Sequence, residues 1–353
     1  MIKGCIGKLV EHRHLLFKEA QEAMKEIMSG KATNSQIAAF LTALRMKGET
    51  ADEIAALSTT MKEVCCSIHP EIDGRLVDIV GTGGDKIKTF NISTTAAIIV
   101  AGAGIAVAKH GNRSFTSLSG SADVLEQFGF NLNITPDVVE RAIKDIGIGF
   151  MYAPIFHPAM KYAMSPRRDI GIRTIFNVLG PLTNPANANC QVLGVYSDHL
   201  IPPLTHALKK LGCEEAMVVH GLDGLDEIST IGKTVIGWLK KDEVQTFEIT
   251  PQELGINQAK PQEIMGLTPE ENAKVSFDII TGKSNVNNAK NEIVLANAAA
   301  GIIVGGKAGD FKKGIELAKQ SIDSGQAYNK LKMLVKTSKG DLSKLERLET
   351  IYG

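Results

Sequence analysis

The sequence predicts an α/β protein with a small all-helical domain at its N-terminus and a larger α/β domain after it. Between residues 15 and 66, apolar residues recur at every third or fourth position, which is the spacing of amphipathic helices. From residue 76 onward, short β-branched segments alternate with helical patterns and glycine-containing turns. This alternation predicts a central, mostly parallel sheet flanked by helices.

The helical domain is expected to cover residues 1–72. Three helices are predicted between residues 15 and 66, and Gly30 and Gly48 stand where helices should stop. Thr50 and Glu53 have the spacing of a capping box at the start of the third helix. The segment IHPEIDG at 68–74 is the predicted hinge, so the α/β domain is assigned to residues 73–353.

The α/β domain contains four segments with the texture of strands. They are LVDIV at 76–80, IAVAKH at 105–110, AMVVHG at 216–221 and TVIGWL at 234–239. A helix is predicted to begin at ISTT, residues 92–95, and the apolar run at 96–108 is too short and too interrupted by glycine to cross a bilayer, so it should be core. The tail from residue 329 should be a helix and a charged end packed on that core.

Charge and cysteine content exclude several functional classes. Lys plus Arg and Asp plus Glu both number 39, so no basic field exists to hold nucleic acid or an anionic membrane without sequence preference. The five cysteines include no CxxC pair, which is typical of reduced thiols, and the first residues lack the features of a secretory signal. We therefore expect a cytoplasmic protein without nucleic-acid or membrane partners, and any metal should have oxygen ligands.

The turn GTGGD at 81–85 is the first candidate binding element. Its glycines allow a ligand to approach the backbone closely, and the helix that starts near Ser93 offers unpaired amides, so the combination suits phosphate. The turn lacks both the Walker lysine and the GxGxxG pattern, which disfavours a conventional ATP or NAD site. A purely structural turn is the alternative.

Asp85 makes the turn unusual, because a carboxylate repels a polyanion. It fits only if it accepts hydrogen bonds from ligand hydroxyls or faces a divalent cation. A sugar phosphate bound with magnesium satisfies both conditions.

The second candidate element is the loop after the strand at 105–110. Lys109 and Arg113 are cations for phosphate, and Asn112 can both donate and accept hydrogen bonds. Hydroxyl donors follow at Ser114, Thr116, Ser117, Ser119 and Ser121. The loop follows an apolar strand, where α/β proteins place their ligands, although a solvated polar loop is the alternative. His110 could be a base, a donor or a structural residue.

The third candidate element is the adjacent carboxylate pair Asp226 and Glu227. Two neighbouring carboxylates repel each other unless a cation lies beside them, and magnesium takes oxygen ligands while sharing a substrate phosphate. A charged surface turn is the alternative. The position after a buried strand, in a chain with two other phosphate-type loops, favours magnesium.

Together these elements resemble the anthranilate phosphoribosyltransferase family. The motifs that carry the likeness are GTGGD at 81–85, NIST at 91–94, KHGNRS at 109–114, GSADVLE at 120–126, FHPAM at 156–160, RTIFNVLGPLTNP at 173–185 and DGLDE at 223–227. They occur in order along almost the whole chain.

The resemblance implies a magnesium-dependent transfer of the phosphoribosyl group from phosphoribosyl pyrophosphate (PRPP) to the amine of anthranilate. This is the second step of tryptophan synthesis from chorismate, and it releases pyrophosphate. The resemblance also implies a homodimer formed through the helical domain and helices from about 166–190 packed on that domain. Substrates should meet between the two domains.

The resemblance assigns the candidate residues to three groups. The PRPP group is Gly81, Gly84, Asp85, Thr89, Asn91, Ile92, Ser93, Thr94, Lys109, His110, Gly111, Asn112, Arg113, Ser114, Ser117 and Ser121. The magnesium group is Ser93, Asp226 and Glu227, and the anthranilate group is Gly81, His110, Asn112, Arg167 and Pro181. Arg167 suits the anthranilate carboxylate as a bidentate fork. His110 is the candidate base, but no side chain is expected to be indispensable as one.

Two other functions stay open at this point. Pyrimidine nucleoside phosphorylases have a similar fold, but they carry a KxSGR-like stretch where this chain has KHGNRS, and they lack a reason for Arg167. A nucleic-acid-binding relative without transferase activity would need a basic groove, which the zero formal net charge and the pair Asp226 and Glu227 argue against.

Overall fold

The computed structural model describes residues 1–84, 86–114, 119–283 and 288–352. Its first part is a bundle of four helices: α1 (Ile2–Val10), α2 (Phe17–Met28), α3 (Asn34–Lys47) and α4 (Ala51–Glu63). The three helices expected between residues 15 and 66 are confirmed as α2, α3 and α4. The sequence analysis missed α1, which packs its buried face on α2 and α3.

The capping box predicted at the start of α4 is confirmed, and it has a further structural role. The Glu53 amide donates to Thr50 Oγ1 at 3.2 Å, and the Thr50 amide donates to Glu53 Oε2 at 2.9 Å. The Glu53 carboxylate is fully buried and also accepts from the Leu15 amide at 2.9 Å and from Lys47 Nζ at 2.7 Å. Glu53 thus joins α4 to α3 and to the segment before α2, and removal of one partner would leave a buried charge uncompensated.

The second part is an α/β domain. Its strands are β1 (Leu76–Gly81), β2 (Ala106–Gly111), β3 (Ile148–Tyr152), β4 (Cys190–Gly194), β5 (Glu215–Gly221), β6 (Thr234–Lys240) and β7 (Glu243–Ile249). Its helices are α5 (Ile92–Gly102), α6 (Ser121–Gln127), α7 (Pro136–Ile146), α8 (Ala153–Phe156), α9 (Lys161–Ile170), α10 (Phe176–Leu182), α11 (Ile201–Lys210), α12 (Pro269–Ile280), α13 (Asn288–Val304), α14 (Phe311–Asp323), α15 (Gln326–Thr337) and α16 (Ser343–Tyr352).

The strands form one seven-stranded sheet in the order β3-β2-β1-β4-β5-β6-β7. The first five positions in this order are parallel, whereas β6 and β7 are antiparallel, so the predicted mostly parallel sheet is confirmed. All four predicted strands are present, and β3, β4 and β7 were missed. Parallel strands bring their carboxyl ends to one edge, where α/β proteins bind ligands.

Helices cover both faces of the sheet. On one face, α5 and α13 lie in the largest apolar cluster, which includes the run at 96–108 that was predicted to be core. The tail also packs as predicted, because α15 and α16 bury Leu331, Leu334 and Leu345 there. On the other face, α10 and α11 join the helical bundle in a second apolar cluster.

Helices from the α/β part lie against the helical bundle. The bundle contacts α9 through α2 and α3, and it contacts α10 and α11 through α4. The segment between α4 and β1 contains the expected hinge at 68–74, and the division at residue 72 stays a prediction. In the described parts of the chain, no helix is both long and apolar enough to span a lipid bilayer.

Candidate active site

Three separate chain segments meet at the carboxyl edge of the sheet. The Gly83 amide, in the turn after β1, donates a hydrogen bond of 2.7 Å to Asp226 Oδ2 in the loop after β5. The Ser93 amide, at the start of α5, donates at 3.2 Å to Glu227 Oε1. The glycine turn, the first turn of α5 and the acidic loop therefore form one site.

Two glycines make room for this contact. Gly81 ends β1 and pairs with Gly194 at the end of β4. A Cβ placed on Gly194 would lie 1.6 Å from the Asp226 carbonyl oxygen, and one placed on Gly81 would lie 2.5 Å from Asp226 Oδ2. No side chain fits at Gly194, and one at Gly81 would displace the Asp226 carboxylate, so the acidic loop lies directly on the end of β4.

Hydrogen bonds to α13 and within the acidic loop itself hold that loop in place. The Ile228 amide donates to Asn297 Oδ1 at 2.9 Å, and Asn297 Nδ2 returns a hydrogen bond of 3.0 Å to the Ile228 carbonyl. Asp223 accepts from the Ser229 hydroxyl and from the Leu225 amide. Because Asn297 is fully buried in α13, these bonds fix the loop to the core of the α/β domain.

The acidic pair is buried, at 8% exposure for Asp226 and 9% for Glu227. Burial raises the pKa of Asp226, and this effect is opposed by the Gly83 amide and by the charges of His220 and Arg173. A cation beside the pair would relieve the cost of burying its negative charge.

The donor set fits magnesium. Both side chains offer hard oxygen atoms, and the Ser93 hydroxyl belongs to the residue whose amide contacts Glu227. Among the described residues, no cluster of three or more His, Cys, Asp or Glu side chains could hold a metal by itself. Magnesium here would complete its coordination with water and ligand phosphates, which is its usual mode of binding.

Lys109 is a buried cation in the middle of the site. It is 4% exposed, and its Nζ donates to the Ile79 carbonyl at 2.6 Å. Burial lowers its pKa, while the negative charges of Asp78 and Glu227 act in the opposite direction. The Lys109 amine therefore interacts both with Asp78 in the sheet and with Glu227 in the acidic loop.

Asn112, directly after β2, contacts the start of α6. The Asn112 carbonyl accepts from the Ser121 hydroxyl and from the Ala122 amide, each at 3.2 Å. A Cβ on Gly111 would lie 2.1 Å from Ser121 Oγ, so this packing also requires a glycine. The structure thus brings together Gly111, Asn112 and Ser121 of the predicted PRPP group.

Arg113 lies in ion pairs within the protein. Its Nη1 is 2.9 Å from both Asp123 Oδ1 and Glu126 Oε2, and these carboxylates raise its pKa. The Ser114 amide donates to the same Asp123 side chain at 3.1 Å. The assignment of Arg113 and Ser114 to phosphate therefore stays a prediction, and in this structure both residues bind side chains of α6.

The remaining members of the PRPP group line the segment between β1 and α5. Thr89 forms an isolated bridge with Met265, and Asn91 Nδ2 donates to the Ser119 carbonyl at 3.2 Å. Ile92 and Thr94 are buried in the first turn of α5. The predicted residues Asp85 and Ser117, together with Thr116, lie outside the described residues.

His110 lies beside a second histidine, His157, with 5.0 Å between their ring centroids. Burial lowers the pKa of His110 to about 3 and that of His157 to about 4. Both rings are neutral near pH 7, so neither supplies a proton as an imidazolium. His157 lies in the FHPAM segment at 156–160, and its sequence context predicts no role for it.

The predicted anthranilate residues Arg167 and Pro181 lie on α9 and α10. The Arg167 guanidinium stacks 5.2 Å from the Phe176 ring centroid, and burial lowers its pKa. Within the described ranges, no carboxylate forms an ion pair with it. Pro181 is buried, and its carbonyl accepts from Gln191 Nε2 at 2.7 Å.

Arg173 is a site residue that the sequence analysis missed. Its Nη2 donates to the Gly84 carbonyl at 2.5 Å, and its guanidinium lies 4.3 Å from the Tyr196 ring centroid. It is the first residue of the RTIFNVLGPLTNP motif, but the sequence contains nothing that predicts its contact with a turn 89 residues away.

Comparisons with known proteins identify close relatives. Residues 3–65 match the helical bundle domain of a glycosyl transferase family, and residues 73–328 match its a/b domain. The anthranilate phosphoribosyltransferase of Methanococcoides burtonii is 49% identical over 340 residues, which are 96% of this chain and 95% of that protein.

Solved structures give the same result. The anthranilate phosphoribosyltransferase of Thermus thermophilus superposes with a TM-score of 0.88 at 38% identity, over 95% of this chain and 99% of that one. The Saccharomyces cerevisiae enzyme in complex with PRPP and Mg superposes with a TM-score of 0.87 at 30% identity, over 96% and 98%.

Proposed function

The chain belongs to the anthranilate phosphoribosyltransferase family, and we propose that it transfers the phosphoribosyl group of PRPP to the amine of anthranilate in tryptophan biosynthesis. One observation carries the proposal. The glycine turn and the start of α5 each donate a backbone hydrogen bond to one member of the acidic pair, through Gly83 and Ser93. Because these bonds hold the two carboxylates against the turn and the helix start, they support a single position for the sugar phosphate and its metal.

PRPP would lie across the carboxyl ends of β1 and β2. The residues proposed to surround it are Gly81, Gly84, Asp85, Thr89, Asn91, Ile92, Ser93, Thr94, Lys109, His110, Gly111, Asn112, Arg113, Ser114, Ser117 and Ser121. Support comes from the amides of a glycine turn and of a helix N-terminus, which favour phosphate oxygens.

Magnesium would be held by Ser93, Asp226 and Glu227. When bound, it would neutralise part of the pyrophosphate charge that grows as the leaving group departs. The support is the buried acidic pair, whose donor atoms suit this ion. Lys109 would add a fixed positive charge on the protein side.

The reaction replaces one bond at the anomeric carbon of the ribose. The bond to the pyrophosphate oxygen breaks, the bond to the anthranilate nitrogen forms, and the amine proton is released to water or to pyrophosphate. Positive charge grows on the sugar in the transition state, so fixed groups that hold the separating charges lower the barrier. Orientation of the two substrates can supply about 7 to 11 kcal/mol.

No side chain is required as a strong base in this scheme. The arylamine attacks as a neutral nucleophile, and its proton becomes acidic only as the new bond forms. His110 is a neutral ring at neutral pH, which leaves it able to accept a hydrogen bond or to line the path of the aromatic acid.

Anthranilate would enter between the two domains. Arg167 would bind its carboxylate, with Asn112 near the amine and Gly81, His110 and Pro181 along its path. The absence of a carboxylate partner for Arg167 in the described ranges supports this role, because a half-buried guanidinium gains most from an anionic ligand.

A homodimer through the helical domain is also proposed. Large apolar side chains are exposed on this domain, including Leu16 at 68% and Met46 at 75%. Sedimentation velocity should show that Leu16→Glu weakens the dimer, while Met333→Glu, at an exposed apolar position on α15, leaves it intact. Equal sedimentation of wild type and Leu16→Glu as a dimer would contradict this interface.

The proposed location is the cytoplasm. All five cysteines are free thiols, which suits a reducing compartment. Fractionation of cells that produce the tagged protein would test this, and recovery in a membrane or secreted fraction would contradict it.

The decisive experiment follows anthranilate fluorescence with PRPP, with and without magnesium. We expect anthranilate consumption that depends on both. Arg167→Lys should raise the KM for anthranilate at least tenfold and leave the KM for PRPP nearly unchanged, whereas Arg168→Lys, at an exposed neighbour, should change neither. Phosphorolysis of thymidine without anthranilate consumption would overturn the proposal.

A further inference from the structure

A cavity of about 260 Å³ lies between the helical bundle and the sheet, and Pro181 of the predicted anthranilate group is among the residues that line it. Its walls come from the end of α4, the segment after α10 and the end of α11. The polar residues that line it are Lys62, Asn184, Asn187, Asn189, Gln191 and Cys213.

The cavity lies at the opposite edge of the sheet from the candidate active site. Asn189 and Gln191 flank the first residue of β4, whereas the last residue of that strand, Gly194, contacts Asp226 in the acidic loop. Cys213 likewise precedes β5, which leads to the acidic loop at its other end. The two sites are therefore separated by the length of the parallel strands.

Lys62 brings a positive charge to this cavity without a counter-ion. Across the described residues, its ε-amine forms no ion pair with a carboxylate, and its titratable neighbours are the thiols of Cys65 and Cys213. Burial lowers its pKa. Burial raises the pKa of Cys213 to about 12, so this thiol stays neutral and does not balance the lysine.

Gln191 is a buried part of the cavity wall. Gln191 is 4% exposed, its Nε2 donates to the Pro181 carbonyl, and its Oε1 has no partner among the described residues. Because this oxygen is fully buried, recognition of a ligand in the cavity would depend on Lys62 and on the apolar residues.

Another part of the cavity lining is apolar. Leu208 and Leu211 of the α11 end face the cavity together with Leu182. A cavity of about 150 Å³ is enough to hold benzene, so this one has room for an aromatic ring with a polar substituent. The ligand chemistry that fits these walls is an anionic group on a compact apolar frame.

We propose that this cavity is a second ligand site, which binds a small organic acid with its carboxylate on Lys62 and its apolar frame against Leu208 and Leu211. Protein partners already hold the side chains of Asn184 and Asn189. The Asn187 side chain would orient the ligand through a hydrogen bond. The proposal does not depend on the transferase activity. Pro181 lines this cavity and is also predicted to line the anthranilate path, so the experiment must separate the two sites.

The test uses sodium benzoate as the probe and benzamide as its neutral isostere, titrated into the full chain by calorimetry. The Arg167→Ala variant removes the carboxylate partner predicted for the active site. In that background we expect benzoate to bind and benzamide to bind at least tenfold more weakly. Adding Lys62→Met should weaken benzoate at least tenfold, and Lys62→Arg should restore most of the affinity.

Crystals of the unmodified protein soaked in benzoate provide a second measurement that does not depend on how the variants fold. Density for the ring beside Leu208 with the carboxylate at Lys62 would support the proposal. Benzoate binding that is unchanged by Lys62→Met, that is absent from the Arg167→Ala variant, or that appears only beside Arg167 in the crystal would overturn it.

Discussion

The Gly83 amide donates a hydrogen bond of 2.7 Å to Asp226 Oδ2, across 143 residues of sequence. This bond attaches the Asp226 carboxylate to the glycine turn. Gly83 adopts a φ of +68° in that turn, a conformation that favours glycine. A change in the charge or position of Asp226 therefore alters the backbone that is proposed to bind PRPP. The acidic loop has two tasks, which are to hold the turn and to offer oxygen atoms to a metal.

The first prediction concerns Gly194. Gly194→Ala would place a methyl group 1.6 Å from the Asp226 carbonyl oxygen, so the acidic loop must move. We expect the loss of most transferase activity and a fall in the free energy of unfolding, measured by urea denaturation.

Gly7→Ala is the matched control, because nothing lies within 4 Å of its added Cβ in an exposed part of α1. That variant should be as stable as wild type or slightly more stable. Full activity in Gly194→Ala would contradict the packing of the loop.

The second prediction compares the acidic pair with His110. Asp226→Ala combined with Glu227→Ala should abolish nearly all turnover, since one electrostatic contact in a transition state is worth about 10²- to 10³-fold. His110→Ala should lose far less than the roughly 10²- to 10⁴-fold contributed by a general base. Steady-state kcat values from the fluorescence assay provide the measurement. Equal, near-total losses in both variants would contradict these roles.

The local features of this site were predictable from the sequence. Strands β1, β2 and β5 each end in a cluster of glycine, hydroxyl or carboxylate residues, and parallel pairing brings such ends to one edge. The short periodicities that define strands and helices are local properties of the chain, which explains why the fold class was correct. The strands β4 and β7 were missed because β4 is short and uniformly apolar apart from Gln191, and β7 is largely exposed.

Contacts between distant segments were not predictable. Arg173 reaches Gly84, and His157 stacks near His110, although neither residue has a local signal that distinguishes it from a surface arginine or a core histidine. Arg113 is the opposite case, because its sequence context suggested a phosphate ligand while Asp123 and Glu126 are its partners in the structure. The pairing of charges depends on tertiary packing, and that information is absent from a single sequence.

The third prediction concerns pH and the buried pair His110 and His157. Their pKa values are lowered to about 3 and about 4, below the ordinary value of 6.5. Below pH 6.5 the two histidines therefore bind protons in the unfolded chain but stay neutral in the folded protein. Stability from these neutral rings is present above pH 6.5 and is lost as pH falls toward 4, at up to about 1.4 kcal/mol per pH unit for each ring.

Asp78 changes the pH dependence of stability in the opposite direction over part of this range. Burial raises its pKa to about 6 from 3.8, so its contribution to stability falls as pH rises through 6. Asp226, whose pKa burial also raises, acts in the same direction as Asp78, so the contribution of the histidines is isolated by comparing variants. Urea denaturation across this range should give a shallower slope for His110→Gln combined with His157→Gln. His206→Gln, at an exposed position, should keep the wild-type slope. Identical slopes in all three proteins would show that the pair is not buried in neutral form.

The last prediction assigns Arg173 to the positioning of the glycine turn. Its guanidinium holds the Gly84 carbonyl at 2.5 Å while stacking on Tyr196, so it joins the segment before α10 to the turn proposed to bind PRPP. Arg173→Lys keeps the charge but loses the planar fork and the stacking surface. We expect the KM for PRPP to rise about tenfold, with a smaller change in kcat and little change in the KM for anthranilate. Arg168→Lys, on the exposed end of α9, is the matched control and should behave as wild type. If Arg173→Lys instead changes only the KM for anthranilate, the residue acts on the aromatic acid and not on the turn.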